Sequence, residues 1–158
     1  RAAIDDANAR HLPIVVDPKF RNFFLYHGAT VFKPNRRELE AALGAAVDVD
    51  HPDALPLVLQ RLGVEHILLT LGDRGMALFS ARGEIARVPT HARQVYDVVG
   101  AGDTVTAYLA CLLAASASPS EAAEIANVAA GIEVGKLGAA TVTSEEVLAY
   151  ALTHELHG

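Results

Sequence analysis

Tryptophan is absent, cysteine and methionine occur once each, and aromatic residues make up only 6% of this 158-residue chain. A single cysteine, Cys111, excludes an internal disulfide; its place in the apolar run Tyr108-Leu109-Ala110-Cys111-Leu112-Leu113 reads as a small buried hydrophobe. Basic residues are the minority. Thirteen Lys and Arg against nineteen Asp and Glu leave a formal charge of −6, a surface that repels nucleic acid and anionic membranes. No apolar run approaches the roughly eighteen residues of a membrane helix, and no signal-peptide pattern opens the chain. A reducing, cytoplasmic compartment fits these features. What the chain does have is aliphatic bulk: 51% hydrophobic with 20% charged is globular composition, enough for a real core. It opens Arg1-Ala2-Ala3-Ile4-Asp5-Asp6-Ala7, without methionine and already helical in pattern, which reads as a piece of something longer.

Elements alternate along the chain. Residues 1–10 read as the end of an amphipathic helix. Ile14-Val15-Val16-Asp17 reads as a buried strand closed by Pro18, and Thr30-Val31-Phe32-Lys33 as a second stopped by Pro34, which cannot donate to a ladder. A helix is predicted over 35–43, with Asn35 as N-cap, Glu38 at the capping-box position and Gly44 as stop. Another is predicted over 53–62, ended by Gly63. A strand over 66–70 follows, Gly72 and Gly75 mark a tight turn, and 76–79 with 84–88 read as a hairpin through Ala81-Arg82-Gly83. Helices are predicted over 104–115, 119–136 and 144–156. The first is apolar on nearly every side, which predicts a central position covered by sheet and by other helices. The whole pattern predicts an α/β fold, one domain or part of one, with a mostly parallel sheet between two helical layers.

Asp97-Val98-Val99-Gly100-Ala101-Gly102-Asp103-Thr104 runs straight into that apolar helix. Gly100 and Gly102 let the backbone approach a ligand with successive N–H groups outward, and the helix adds its positive end, so the stretch suits an anion. Asp103 falls in the first turn, where a carboxylate is stabilised in its charged form. A carboxylate beside an anion cradle repels the anion, an arrangement that suits a base taking the proton of a hydroxyl as it attacks a phosphoryl group. The same residues also make a plain glycine-rich helix start. A Walker A loop and a dinucleotide fingerprint are both missing, which argues against a nicotinamide-dependent oxidoreductase.

The stretch from Asp97 to Asp103 resembles the second signature of the ribokinase-like (PfkB) sugar kinases. Lys33-Pro34-Asn35-Arg36-Arg37-Glu38 resembles their Asn-x-x-Glu motif, and Thr70-Leu71-Gly72-Asp73-Arg74-Gly75 their nucleotide-side glycine turn. Asn127 stands 24 residues after Asp103, where the family has an adenine-site asparagine. The four motifs come in the family's order across essentially the whole chain. Residues 95–105 and 134–142, with Asp17-Pro18-Lys19 and Tyr26-His27-Gly28-Ala29-Thr30, are most similar to the branch that phosphorylates heptose 7-phosphate at C1 in ADP-heptose synthesis.

The resemblance implies a ribokinase-like three-layer α/β/α fold. Residues 1–158 would be its C-terminal half, without the N-terminal glycine-pair signature, much of the sugar pocket or the lid strands. It implies transfer of the γ-phosphoryl of ATP to a sugar hydroxyl, with Asp103 as base facing the acceptor and Gly100, Ala101 and Gly102 as anion hole. Lys33, Asn35, Glu38, Thr70, Gly72, Asp73, Gly75, Asn127 and Gly131 would take the nucleotide, Lys33 by neutralising phosphate charge. Asn35 and Glu38 would hold Mg2+ through water. Asp97 would mark a monovalent-cation site for K+, built from backbone carbonyls, because Val98 and Val99 stand where relatives often carry Thr or Ser. The implied partners are ATP and a sugar phosphate, with a homodimer in the full-length parent and neither nucleic acid nor membrane.

Several of these residues have a purely structural reading beside the functional one. Asn35 and Glu38 make a capping box in any case, and 70–75 makes a strand-to-hairpin turn. Asn127 on an apolar helix needs a partner, either adenine or a neighbouring backbone group. Lys19 meets a substrate phosphate or is a solvated charge. His154 and His157, spaced i, i+3, have no third ligand and read as a solvated tail. The remaining histidines, at positions 11, 27, 51, 66 and 91, show no ligand spacing. A catalytically silent nucleotide-binding fragment or scaffold module stands as the alternative to a kinase.

Overall fold

Strands apolar on both sides need cover on both faces, and this sheet has it. The computed structural model describes residues 2–90, 98–138 and 140–154. Five strands lie in the order β1 (Val15–Val16), β2 (Val31–Phe32), β3 (His66–Thr70), β4 (Met76–Ser80) and β5 (Gly83–Val88). The first three are parallel, and β4 and β5 return as an antiparallel hairpin. The first two strands are shorter than predicted, yet main-chain bonds from Val31 to Ile14 and from Lys33 to Val16 carry the ladder past them. Pro18 and Pro34, lacking an N–H, follow at once.

Alternation sorts the side chains into two cores. Phe32, Ile67, Leu69, Ala77 and Phe79 meet α2 (Arg36–Leu43) and α3 (Leu55–Leu62). On the other face Val31, Leu68, Met76 and Leu78 meet α4 (Ala101–Ala114) and α5 (Pro119–Val134). The architecture is therefore three-layer α/β/α around a mostly parallel sheet. Outside it, α6 (Ser144–His154) packs Val147 against Val128 and Ala129 of α5. A further helix, α1 (Ala2–Ala9), buries no residue. No helix among the described residues is long and apolar enough to cross a membrane.

Local chemistry sets the helix ends. Asn35 and Glu38 form the predicted capping box of α2, which stops at Gly44 in the left-handed region (φ +67°). Ser118 and Glu121 form a second box at α5. Helix α3 starts two residues later than predicted, because the chain first makes a turn in which Leu55 N–H donates to the Pro52 carbonyl.

Helix α4 departs from expectation twice. It begins at Ala101 rather than 104, because Gly100 (φ +95°) acts as N-cap and its carbonyl accepts from the N–H groups of Asp103 and Thr104. Nor is it covered all round. Only Val105 and Leu109 are buried, while Ala107, Ala110, Cys111 and Ala114 lie open on the side away from the sheet. Cys111 is thus exposed, not a buried hydrophobe. Its apolar neighbours Leu109, Leu112 and Leu113 lie on the stripe of the helix that meets the core, and Cys111 does not. His91 and His157 lie outside the described residues.

Candidate active site

Parallel strands that end on one side of a sheet bring their C-terminal residues together. The register pairs Val15 with Val31 and Val16 with Phe32, so Asp17 and Lys33 come next to each other one step on. Lys33 Nζ donates to Asp17 Oδ1 at 2.9 Å, and Lys19 Nζ to Oδ2 at 3.2 Å. The Lys33 side chain is only 5% exposed and that of Lys19 is 77% exposed. Burial pushes the Asp17 carboxyl up, but the bonds and charges of Lys33 and Lys19 together hold it below its ordinary value. Asp17 in turn holds the Lys19 ammonium above its ordinary value, against a small desolvation effect and with help from Glu38 and Asp103.

Asn35 and Thr70 stand side by side where β2 and β3 run out, joined by the bond from Thr70 N–H to the Pro34 carbonyl at 3.1 Å. The Asn35 side chain accepts from Glu38 N–H at 2.8 Å, and Glu38 Oε2 accepts from Asn35 N–H at 2.8 Å. Past Thr70 the chain makes a 3-10 turn over Gly72–Arg74 and reaches Gly75 (φ +80°), where a Cβ would run into the Val88 carbonyl. Glycine there lets the turn lie directly on β5.

Across from this turn is the start of α4. Among the described residues no hydrogen bond takes up the N–H groups of Gly100, Ala101 or Gly102. Lys33 Nζ stands 3.6 Å from where a Cβ on Gly102 would be, and Asp103 is exposed in the first turn. A helix N-terminus with open N–H groups and an ammonium beside it attracts anions.

A cavity of about 440 Å³ lies between these parts, a size suited to a nucleotide-sized ligand. Ala101 and Gly102 line one end. Asn35, Thr70, Gly72, Asp73 and Gly75 line one wall, and Asn127 and Gly131 of α5 also line it. Lys19, Lys33, Glu38, Gly100 and Asp103 are not part of the lining. Asn127 is buried, and its amide donates to the Pro89 carbonyl at 2.6 Å, so a backbone group is one partner it has.

No group of three or more His, Cys, Asp or Glu that could hold a metal occurs among the described residues. With the Asn35 side-chain acceptor and Glu38 Oε2 committed to the capping box, Glu38 Oε1 is the carboxylate oxygen left for a hydrated cation. Asp97, the residue expected at a monovalent-cation site, lies outside the described residues.

Two residues of the site are not among those singled out in sequence. Asp17 enters the sequence reading as the end of a strand and as part of the Asp17-Pro18-Lys19 stretch, without a role, and its place beside Lys33 needs the strand register. Glu133 of α5 is buried beneath the turn, with Oε1 2.5 Å from where a Cβ on Gly100 would be and, among the described residues, no hydrogen bond to Oε2. A lone carboxylate inside the apolar stretch 128–134 was its signal.

A sequence model of the pfkB family of carbohydrate kinases matches residues 4–146. This chain belongs to that family. Two curated relatives are each named bifunctional protein HldE. The one from Trichlorobacter lovleyi is 46% identical over 145 residues, covering 90% of this pfkB-family chain and 30% of the relative. The one from Pelobacter propionicus is 46% identical over 156 residues, covering 97% and 32%. Among solved structures, Arabidopsis thaliana ribokinase complexed with ribose and ATP superposes with a TM-score of 0.79 at 25% identity, over 92% of this chain and 49% of that one. This pfkB-family chain therefore spans about a third of the length of the curated relatives it matches and about half of the ribokinase.

Proposed function

We propose that residues 1–158 are the nucleotide-binding and catalytic half of an ATP-dependent sugar kinase that phosphorylates C1 of a heptose 7-phosphate. One observation carries the reading. Three N–H groups without a hydrogen-bond partner among the described residues open the α4 helix, two of their residues line the cavity, and Asp103 follows one position on. The 46% identity to HldE proteins supports the heptose acceptor, and the likeness to an ATP-complexed ribokinase supports the donor.

The nucleotide occupies the cavity with its terminal phosphate at the α4 cradle. Asp103 accepts the proton of the C1 hydroxyl while that oxygen attacks the γ-phosphorus. The bond to the bridging oxygen breaks, and ADP leaves. Charge developing on the equatorial oxygens meets the N–H groups of Gly100, Ala101 and Gly102 and the helix's positive end, all in place beforehand. Lys33 neutralises phosphate charge from beside Gly102. Lys19, exposed and near enough to Asp103 to feel its opposite charge, meets the acceptor's own phosphate. Mg2+, when bound, neutralises the nucleotide phosphates, with Glu38 and Asn35 reaching it through water. A K+ site near Asp97 belongs to the same proposal.

The test uses the full-length protein. Asp103→Asn keeps ATP affinity and lowers kcat roughly 10²–10⁴-fold, the range of general base catalysis; unchanged turnover removes Asp103 from the chemistry. An ATP-consumption screen over free and phosphorylated sugars identifies the acceptor, with heptose 7-phosphate expected above the rest. ATP binding without consumption on any sugar would mark a catalytically silent nucleotide-binding module.

A further inference from the structure

Two ammonium groups share the Asp17 carboxylate, and their surroundings differ. Lys19 is 77% exposed, and an exposed pair 3.2 Å apart contributes little against water, so Lys19 leaves Asp17 easily when another anion arrives. Lys33 has no such freedom. Its side chain is 5% exposed, and Asp17 Oδ1, at 2.9 Å, is the hydrogen-bond partner of Nζ among the described residues. Without that carboxylate the ammonium would stand desolvated and unpaired. The backbone fixes the pair as well, since Lys33 N–H donates to the Val16 carbonyl at 2.8 Å, directly before Asp17. These constraints leave Lys33 Nζ beside Gly102, at the open end of α4.

We propose that Asp17 is a positioning residue of the phosphate site: it fixes the Lys33 ammonium beside the Gly100–Gly102 cradle, so that the cation meets a nucleoside triphosphate's terminal phosphate already ordered. The inference rests on reading the cradle as a phosphate site. An ammonium held in place in advance loses no side-chain freedom on binding, which is where the affinity comes from. Asp17 itself touches neither nucleotide nor acceptor in this role.

Wild type, Asp17→Asn and Asp17→Glu are compared in two measurements. Brief acylation of the folded proteins with acetic anhydride, read by mass spectrometry, reports each amine: Lys19 is modified in all three, Lys33 only in Asp17→Asn. Calorimetric titration with a non-hydrolysable ATP analogue and with AMP reports the consequence. Asp17→Asn weakens the analogue roughly 10–100-fold, the loss that accompanies one hydrogen bond to a charged group. AMP affinity stays unchanged, and Asp17→Glu recovers most of the loss. Protection of Lys33 in Asp17→Asn overturns the proposal, and so does equal weakening of AMP and analogue, which marks a structural role. A wild type that binds neither nucleotide refutes the phosphate-site reading instead, and the acylation pattern still decides whether Asp17 positions Lys33. Where melting shows Asp17→Asn unfolded, Asp17→Glu carries the test. Lys33 protected with analogue affinity kept supports the proposal; Lys33 acylated with affinity kept overturns it.

Discussion

The carboxylate of Glu133 lies against the main chain of Gly100, where a Cβ would stand 2.5 Å from Oε1. Gly100 is therefore restricted twice: by a left-handed backbone at φ +95°, and by a buried side chain packed behind it. Gly102, two residues on, has neither restriction, and a Cβ there meets Lys33 Nζ at an ordinary 3.6 Å.

These two glycines are expected to respond oppositely to the same change. Gly100→Ala loses about 1–2 kcal/mol from the backbone alone, plus the cost of moving Glu133. Glu133→Ala on that background returns only the second part, and melts of the single and double variants separate the two. Gly102→Ala folds as well as wild type or gains up to ~1 kcal/mol from helix propensity, yet binds an ATP analogue more weakly because a methyl group occupies the cradle. Undiminished affinity in Gly102→Ala would take that residue out of the anion site.

Asn35 carries two roles that one substitution separates. Serine keeps an N-cap acceptor, so Asn35→Ser holds α2 close to wild-type stability, whereas Asn35→Ala costs about 1 kcal/mol. If the Asn35 amide also orders the water around Mg2+, Asn35→Ser weakens the ATP analogue in the presence of Mg2+ and leaves metal-free binding alone. Titrations with Mg2+ and with a chelator check this, and equal Mg2+-dependent affinity assigns Asn35 to the cap alone.

Acid should loosen the β1–β2 edge. Burial raises the Asp17 carboxyl, but Lys33 and Lys19 bring it below its ordinary 3.8. A carboxyl whose folded-state value is depressed contributes stability that is complete above its unfolded value and lost as pH falls through the folded one. Thermal midpoints of wild type should therefore fall as pH drops below about 4, with a shallower fall in Asp17→Asn. Parallel acid limbs would show that the Asp17 pair contributes nothing to folding.

Features specified by a few adjacent residues were readable in the chain. The capping box at Asn35, the left-handed stops at Gly44 and Gly63, and the hairpin each depend on residues within a turn of one another. The layer arrangement was readable too, since strands buried on both faces show as unbroken apolar runs. The start of α4 was not, because a glycine N-cap offers no side chain to signal it. Its burial misled for a different reason: Ala107, Ala110 and Ala114 count as apolar but lose little when left in water. Asp17 with Lys33 is a pair sixteen residues apart, visible only once β1 and β2 are aligned. Glu133 is the harder case, a carboxylate whose partner surface, the Gly100 turn, belongs to another helix.

The bond from Asn127 to the Pro89 carbonyl fastens α5 to the chain just beyond β5. Replacing Asn127 lets go of that fastening as well as removing an amide from the cavity. A fall in affinity there would measure a slackened wall together with any contact the amide makes to a base, and inorganic triphosphate, which has no base, would tell them apart.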